Sequence, residues 1–271
     1  MCSIRLTDVT LPAVQPLPEV LDALRERGLR RGVTPLPGEV VVPAVPTGHA
    51  ALDEALATGG WPRGALAVLD AAPGHGATSL ALDSAAASQA AGGLVAWIDL
   101  AGTFDPACAA RRGVRLEWLL IVRPADVTEA LELAAWLARS RLLDLLVLDL
   151  DGPSAPRFER LAALLPRSDA TALLIAPPAL RQAAGRVAGV RLRLERRAWL
   201  AVGRDLVGLR TAASVARHRW AMAGGHAELD LYFGEGRRID PLLPALAIPE
   251  RRSDEHLELP AEQPALVVLS A

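Results

Sequence analysis

The sequence predicts an α/β protein in which a central, mainly parallel sheet is flanked by helices and followed by a small antiparallel extension. Three observations predict it. Short, near-continuous apolar runs alternate with helix-period segments from residue 47 to 176, the pattern of parallel strands buried on both faces. A glycine-bearing loop, Ala71-Ala-Pro-Gly-His-Gly-Ala77, joins one such run to an alanine-rich segment. Beyond residue 188 the apolar period shortens to two, which indicates strands with one wet face.

The elements follow in order. Residues 1–46 carry seven prolines, at 12, 16, 18, 35, 37, 43 and 46, and these bracket one amphipathic helix candidate, 19–31. Its Val20, Leu21, Leu24 and Leu29 fall near one face, which either caps the domain or docks a partner. From residue 47 the periods predict helix 49–57, strand 65–69, the 71–77 loop, helix 78–91 and strand 94–99. Helix 105–112, strand 118–122, helix 127–140, strand 145–149, helix 157–164 and strand 171–176 come next. Strict alternation at 190–195, and in parts of 198–209 and 227–233, supplies the antiparallel strands. Residues 241–271 hold five prolines, an acidic stretch (250–262) and an apolar end (265–269), and read as a mostly extended tail. The chain divides into an N-terminal segment (1–46), a core (47–240) and that tail.

Bulk properties exclude several classes. A chain of 271 residues suits one large α/β domain with appendages. A net charge of −2 sets up no global field toward nucleic acid, so such a contact must be local. All 29 cationic residues are arginine. Cys2 and Cys108 make no disulfide framework, and no apolar run reaches the roughly 20 residues of a membrane span, so a soluble, cytoplasmic protein is expected. The five histidines and two cysteines show no metal-ligand spacing, so no metal site is expected.

The 71–77 loop has the outline of a phosphate cradle. In such a loop glycines let backbone N–H groups converge on an anion at a helix N-terminus. Gly74, Gly76 and the helix opening at Thr78 provide that outline, and Thr78 or Ser79 offers a hydroxyl to Mg²⁺. The cation is missing, because Ala77 stands where a lysine would reach the β- and γ-phosphates. Asp149 ends an apolar strand about 70 residues later, as a magnesium-holding aspartate does.

The residues also resemble a known family. Pro46-Thr-Gly-His-Ala-Ala-Leu-Asp-Glu-Ala-Leu56 and Gly59-Gly-Trp-Pro-Arg-Gly64 resemble the segment that leads bacterial RecA into its phosphate loop. Ile98-Asp99, Phe104-Asp-Pro106, Arg112-Gly-Val114, Ala130-Leu-Glu132, Leu137-Ala-Arg-Ser140 and the 144–149 strand continue the match in register. Glu228-Leu-Asp-Leu-Tyr-Phe-Gly-Glu-Gly236 resembles the family's last core strand and its Gly-Glu-Gly turn. The resemblance covers roughly 46–240 and implies a RecA-like core.

Its departures imply lost catalysis. The family's lysine position is Ala77, and its water-activating glutamate falls on Ala101, which abstracts no proton. The γ-phosphate-sensing position falls in Pro177-Pro-Ala179, and the two mobile DNA-binding loops have no counterpart. Arg217 and Arg219 stand where the family carries two basic residues that reach across a protomer boundary. This pattern resembles the ImuA group, degenerate RecA-like components of the damage-induced translesion machinery. The resemblance implies a non-catalytic SOS accessory protein that contacts RecA, an ImuB-like inactive Y-family polymerase homologue and a replicative-type error-prone polymerase, near the nucleoid during DNA damage. Docking residues would be Leu21, Leu24, Arg217 and Arg219. No cofactor is expected, with room left for weak ATP–Mg²⁺ binding at Gly74, Gly76, Thr78, Ser79 and Asp149. Two alternatives stand beside this reading: a divergent ATPase, and a single-stranded DNA-binding module using Arg191 and Arg193 of the basic 181–204 run.

Overall fold

The computed structural model describes residues 42–152, 157–233 and 246–249. Leu21, Leu24, the candidate helix at 19–31 and most of the tail lie outside the described residues. The strands are β1 (Ala44–Val45), β2 (Trp61–Pro62), β3 (Leu66–Ala71), β4 (Val95–Asp99), β5 (Leu119–Val122), β6 (Leu145–Asp149), β7 (Thr171–Ile175), β8 (Val190–Val202), β9 (Asp205–His218), β10 (His226–Tyr232) and β11 (Leu246–Pro249). The helices are α1 (Ala50–Ala55), α2 (Ala77–Ala90), α3 (Pro106–Arg111), α4 (Val127–Ser140), α5 (Glu159–Ser168) and α6 (Pro178–Gly185).

β1 and β2 form a small ribbon, and the other nine strands make one sheet in the order β10-β9-β8-β3-β7-β6-β4-β5, with β11 added to β8. The pairings from β8 through β3, β7, β6 and β4 to β5 are parallel. β9, β10 and β11 add antiparallel strands to the same sheet.

Strand alternation splits the core in two. Ala67, Leu69, Leu145 and Val147 pack with α1 and α2 on one face, while Leu66, Val68, Leu146 and Leu148 pack with α4, α5 and α6 on the other. α2 is buried on several sides at once, from Leu80 to Gln89. Its small Ala and Ser residues let it lie close to the sheet. Trp61 Nε1 donates to Ser84 Oγ (3.0 Å), which donates to the Thr47 carbonyl (2.9 Å), so α2 anchors the chain entering the core. Asp83 of α2 is also buried, against His49 Nε2 (2.9 Å) and the Arg112 guanidinium (3.5 Å).

One element differs from the sequence expectation and another adds a pairing to it. Residues 178–185, expected to run almost directly into the alternating strands, form α6 with Pro178 in its first turn, a position that needs no N–H and suits the fixed φ of proline. Part of the tail, Leu246–Pro249, is a strand paired to β8. Helix 105–112 is realised as α3, capped by the Asp105 carboxylate, which accepts from Ala107 N at 2.8 Å.

Candidate nucleotide-type cleft

β3 feeds α2 on one face of the sheet, and β7 feeds α6 on the other. The carboxyl ends of these neighbouring strands therefore open a crevice where open α/β sheets bind ligands. A cavity of about 720 Å³ lies there. Its walls bring together Gly74, Gly76, Thr78, Ser79 and Asp149, all five residues the sequence singled out for this site.

The loop's shape follows from its glycines. Gly74 and Gly76 have φ of +77° and +94°, a region that favours residues without a Cβ. A Cβ on Gly76 would also collide with Leu231 Cδ1. Strand side chains hold the loop from beside and below. Thr211 Oγ1 donates to the His75 carbonyl (3.1 Å), and Arg196 donates to the Gly74 carbonyl (3.0 Å). The His75 ring meets the Leu194 carbonyl at 3.4 Å, which sets it against β8.

The chemical groups of the cleft are few. Ala77 opens α2, and Ala101, Ala176, Pro177 and Pro178 line the wall without a functional side chain. Asp149 is buried, and Thr103 Oγ1 donates to its Oδ2 at 3.2 Å. Its pKa is pushed up to about 6, first by burial and then by the charges of Asp99 and Asp151, with the Thr103 hydrogen bond opposing. Asp99 is held by Thr103 N (2.9 Å) and by Arg123 (3.1 Å). Behind the loop, Asp70 takes two guanidinium groups, Arg181 at 2.9 Å and Arg191 at 2.7 Å, which leaves that cluster cationic. Arg181 also donates to the Ala71 carbonyl (2.5 Å) and lines the cleft, and its buried Nε has no hydrogen-bond partner.

The loop keeps the outline of a phosphate cradle, with two glycines in the left-handed region leading into a helix start. Of the two carboxylates on the cleft wall, Asp149 accepts from Thr103 Oγ1 and exposed Asp151 accepts from Gly152 N, while Thr78 and Ser79 line the cleft at the helix start. Ala77 brings this wall no charge and Ala101 no base.

The remaining expected residues lie elsewhere. Arg191, expected to face DNA, is tied to Asp70 because β8 runs beside β3; Arg193 is exposed. Arg217 and Arg219 lie at the opposite edge of the sheet, near the start of β8. Arg217 donates to the Gly185 and Arg186 carbonyls (3.1 and 3.3 Å), and the Arg219 guanidinium is 5.7 Å from the Trp220 ring. The sequence reading did not assign Arg181, Trp199, Leu209 or Phe233 to the cleft. All four come from segments distant in sequence from the loop. Among the described residues, no group of three or more His, Cys, Asp or Glu could hold a metal, and no helix is long and apolar enough to cross a membrane.

A parallel sheet whose glycine loop opens a helix at the switch point defines the α/β nucleotide-binding class. Within it, the sequence matches the RecA N-terminal domain family over residues 32–169. RecA of Frankia casuarinae is 33% identical over 233 residues, covering 72% of this chain and 67% of that protein. RecA of Thermus thermophilus is 31% identical over 240 residues, covering 74% and 69%. A crystal structure of the RadB recombinase shares the fold, with a TM-score of 0.54 at 20% identity over 69% of this chain and 95% of that one. The chain belongs to the RecA family.

Proposed function

We propose that this protein is a non-hydrolysing RecA-like accessory protein of translesion DNA synthesis, similar to ImuA, that works by protein contacts. One observation carries the reading. The cleft keeps its loop, helix start and Asp149, yet presents Ala77, Ala101 and Pro177 where charge, base and γ-phosphate sensing are needed. Losing one charge-assisted contact costs about 1.5–3 kcal/mol of binding, and more in a transition state that spreads charge over a phosphoryl group.

Exposed apolar surface supports the contact role. Met222 is 91% exposed and Trp220 is 37% exposed, beside exposed Arg217 and Arg219. At the far edge, β5 pairs with β4 alone among the described residues and shows Ile121 to solvent. The partners implied are RecA, an inactive Y-family polymerase homologue and a replicative-type polymerase. The test is steady-state phosphate release from ATP with single-stranded DNA and RecA, the RecA being an ATPase-dead variant. No release above background is expected, and turnover abolished by Asp149→Asn would overturn the reading.

One observation favours a divergent ATPase instead. Asp151 is an exposed carboxylate on the cleft wall, a candidate base. Under that reading, Asp151→Asn removes turnover.

A further inference from the structure

The cleft wall is mostly apolar. Ile175, Trp199, Leu209 and Phe233 stand on it, and Ala77 and Ala101 bring only methyl groups. Phe233 tilts against Trp199 at 6.3 Å between centroids and is still 45% exposed. An aromatic pair left open on a cavity of about 720 Å³ is surface that another apolar segment can cover. The register of β11 shows which segment is delivered there. β9 pairs with β8 along its length, so β3 and β11 share the other edge of β8, one beyond the other. β3 holds that edge from Val190 to Leu194, and β11 holds it from Ala198 to Ala201. β11 is antiparallel to β8, so at Pro249, the partner of Ala198, the chain points back toward Ala71 and the 71–77 loop. Pro249 has no N–H to extend the ladder. Trp199, the register partner of Ile248, is itself on the cleft wall.

The sequence that follows has matching chemistry. Residues 250–262 carry Glu250, Asp254, Glu255, Glu258 and Glu262, and residues 265–269 are Ala-Leu-Val-Val-Leu. The acids come first, and beside the end of β3 lie the cationic Arg181–Asp70–Arg191 cluster and exposed Arg193. The apolar run comes after them. We propose that the cleft is a docking groove for this chain's own residues 265–269, which cover Trp199, Leu209 and Phe233 while the acidic stretch lies against the arginines. The inference goes beyond the accessory role and rests on the cleft lining and the register of β11, so it stands or falls apart from that role. Reach is ample, since residues 250–264 fully extended span about 50 Å. Burial of leucine and valine side chains drives the docking. Groove and segment belong to one chain, so the effective concentration is on the order of millimolar and a weak contact suffices.

The test is photo-crosslinking in the full chain with p-benzoylphenylalanine in place of Val267, the adducts being mapped by mass spectrometry. Adducts within one chain, on the peptides carrying Trp199 and Leu209, are expected. Phe233→Ser, at an exposed position, should lower their yield by about fivefold or more. Glu255→Gln/Glu258→Gln should lower it by about twofold at low salt and less at high salt. The same label in place of Ala265, at the edge of the run, carries the test if its bulk at 267 disturbs docking. Four results would each overturn the proposal. They are adducts joining two chains, which make a second copy the occupant; adducts confined to surfaces outside the cleft; no adduct from either label; and a cleft adduct undiminished by Phe233→Ser.

Discussion

Asp99 and Asp149 are register partners at the ends of β4 and β6, and their carboxylates are served differently. Asp99 has the Arg123 guanidinium at 3.1 Å, while Asp149 has the Thr103 hydroxyl at 3.2 Å. Burial and the neighbouring charges raise the Asp149 pKa from 3.8 to about 6. Between those values the folded protein binds more protons than the unfolded chain, so this group's contribution to stability falls as pH rises from about 4 to 6 and is constant above. The ionised carboxylate therefore costs the fold up to about 3 kcal/mol at pH 8. Asp149→Asn removes that cost and keeps an acceptor for Thr103. Urea unfolding should show the variant more stable than wild type by about 1–3 kcal/mol at pH 8, and nearly equal to it at pH 4.

The loop's shape is a packing requirement. Gly76 combines a φ of +94° with Leu231 Cδ1 lying where a Cβ would need room. Gly76→Ala should destabilise by about 2–4 kcal/mol through backbone strain and overpacking together. Gly92 has a similar φ of +83° with nothing within 4 Å. Its alanine variant should cost only about 1 kcal/mol. Equal costs in denaturant titration would mean that Leu231 gives way freely.

Restoring the lost charge separates binding from chemistry. Ala77 opens α2 on the cleft wall, so Ala77→Lys places an ammonium at the phosphate loop. ATP affinity should rise about tenfold, one charge-assisted contact's worth. Phosphate release should stay at background, because Ala101 still offers no base. Release in the Ala77→Lys variant would locate a base elsewhere, with Asp151 first to be replaced.

Local pattern carried much of this fold. The apolar runs marked each strand from β3 to β7, and helix 127–140 stands as its spacing placed it. α6 escaped because it opens on Pro177-Pro178, which reads as a loop until the first-turn position is known. In the site, the loop and Asp149 were legible because each sits at a strand end of fixed type. Trp199, and Arg196 stacked on it beside the loop, were not, since three-residue spacing in a strand places them on opposite faces and only the register shift between Arg196 and Ala198 unites them. The ion pair of Arg191 was not legible for a related reason. Its partner Asp70 lies 121 residues away, and the strand order that joins them has no local signature.

The amino edge of the sheet offers the sharpest test of partner contact. Arg217 rests on two backbone carbonyls and Arg219 lies near Trp220, all of them at the surface. Charge reversal there removes little folding energy, since exposed contacts of this kind contribute about 0–1 kcal/mol. The Arg217→Glu/Arg219→Glu variant should therefore melt within about 2–4 °C of wild type. If this edge meets an acidic surface of RecA, capture of RecA by the immobilised chain should drop at least tenfold. Wild-type capture should weaken as salt rises, while the variant's residual capture should depend less on salt. Met222→Ser, which removes exposed apolar surface without altering charge, should lower capture and leave the salt slope unchanged. Undiminished capture by the charge-reversed variant at low salt would remove this edge from the docking surface and leave β5 as the next face to examine.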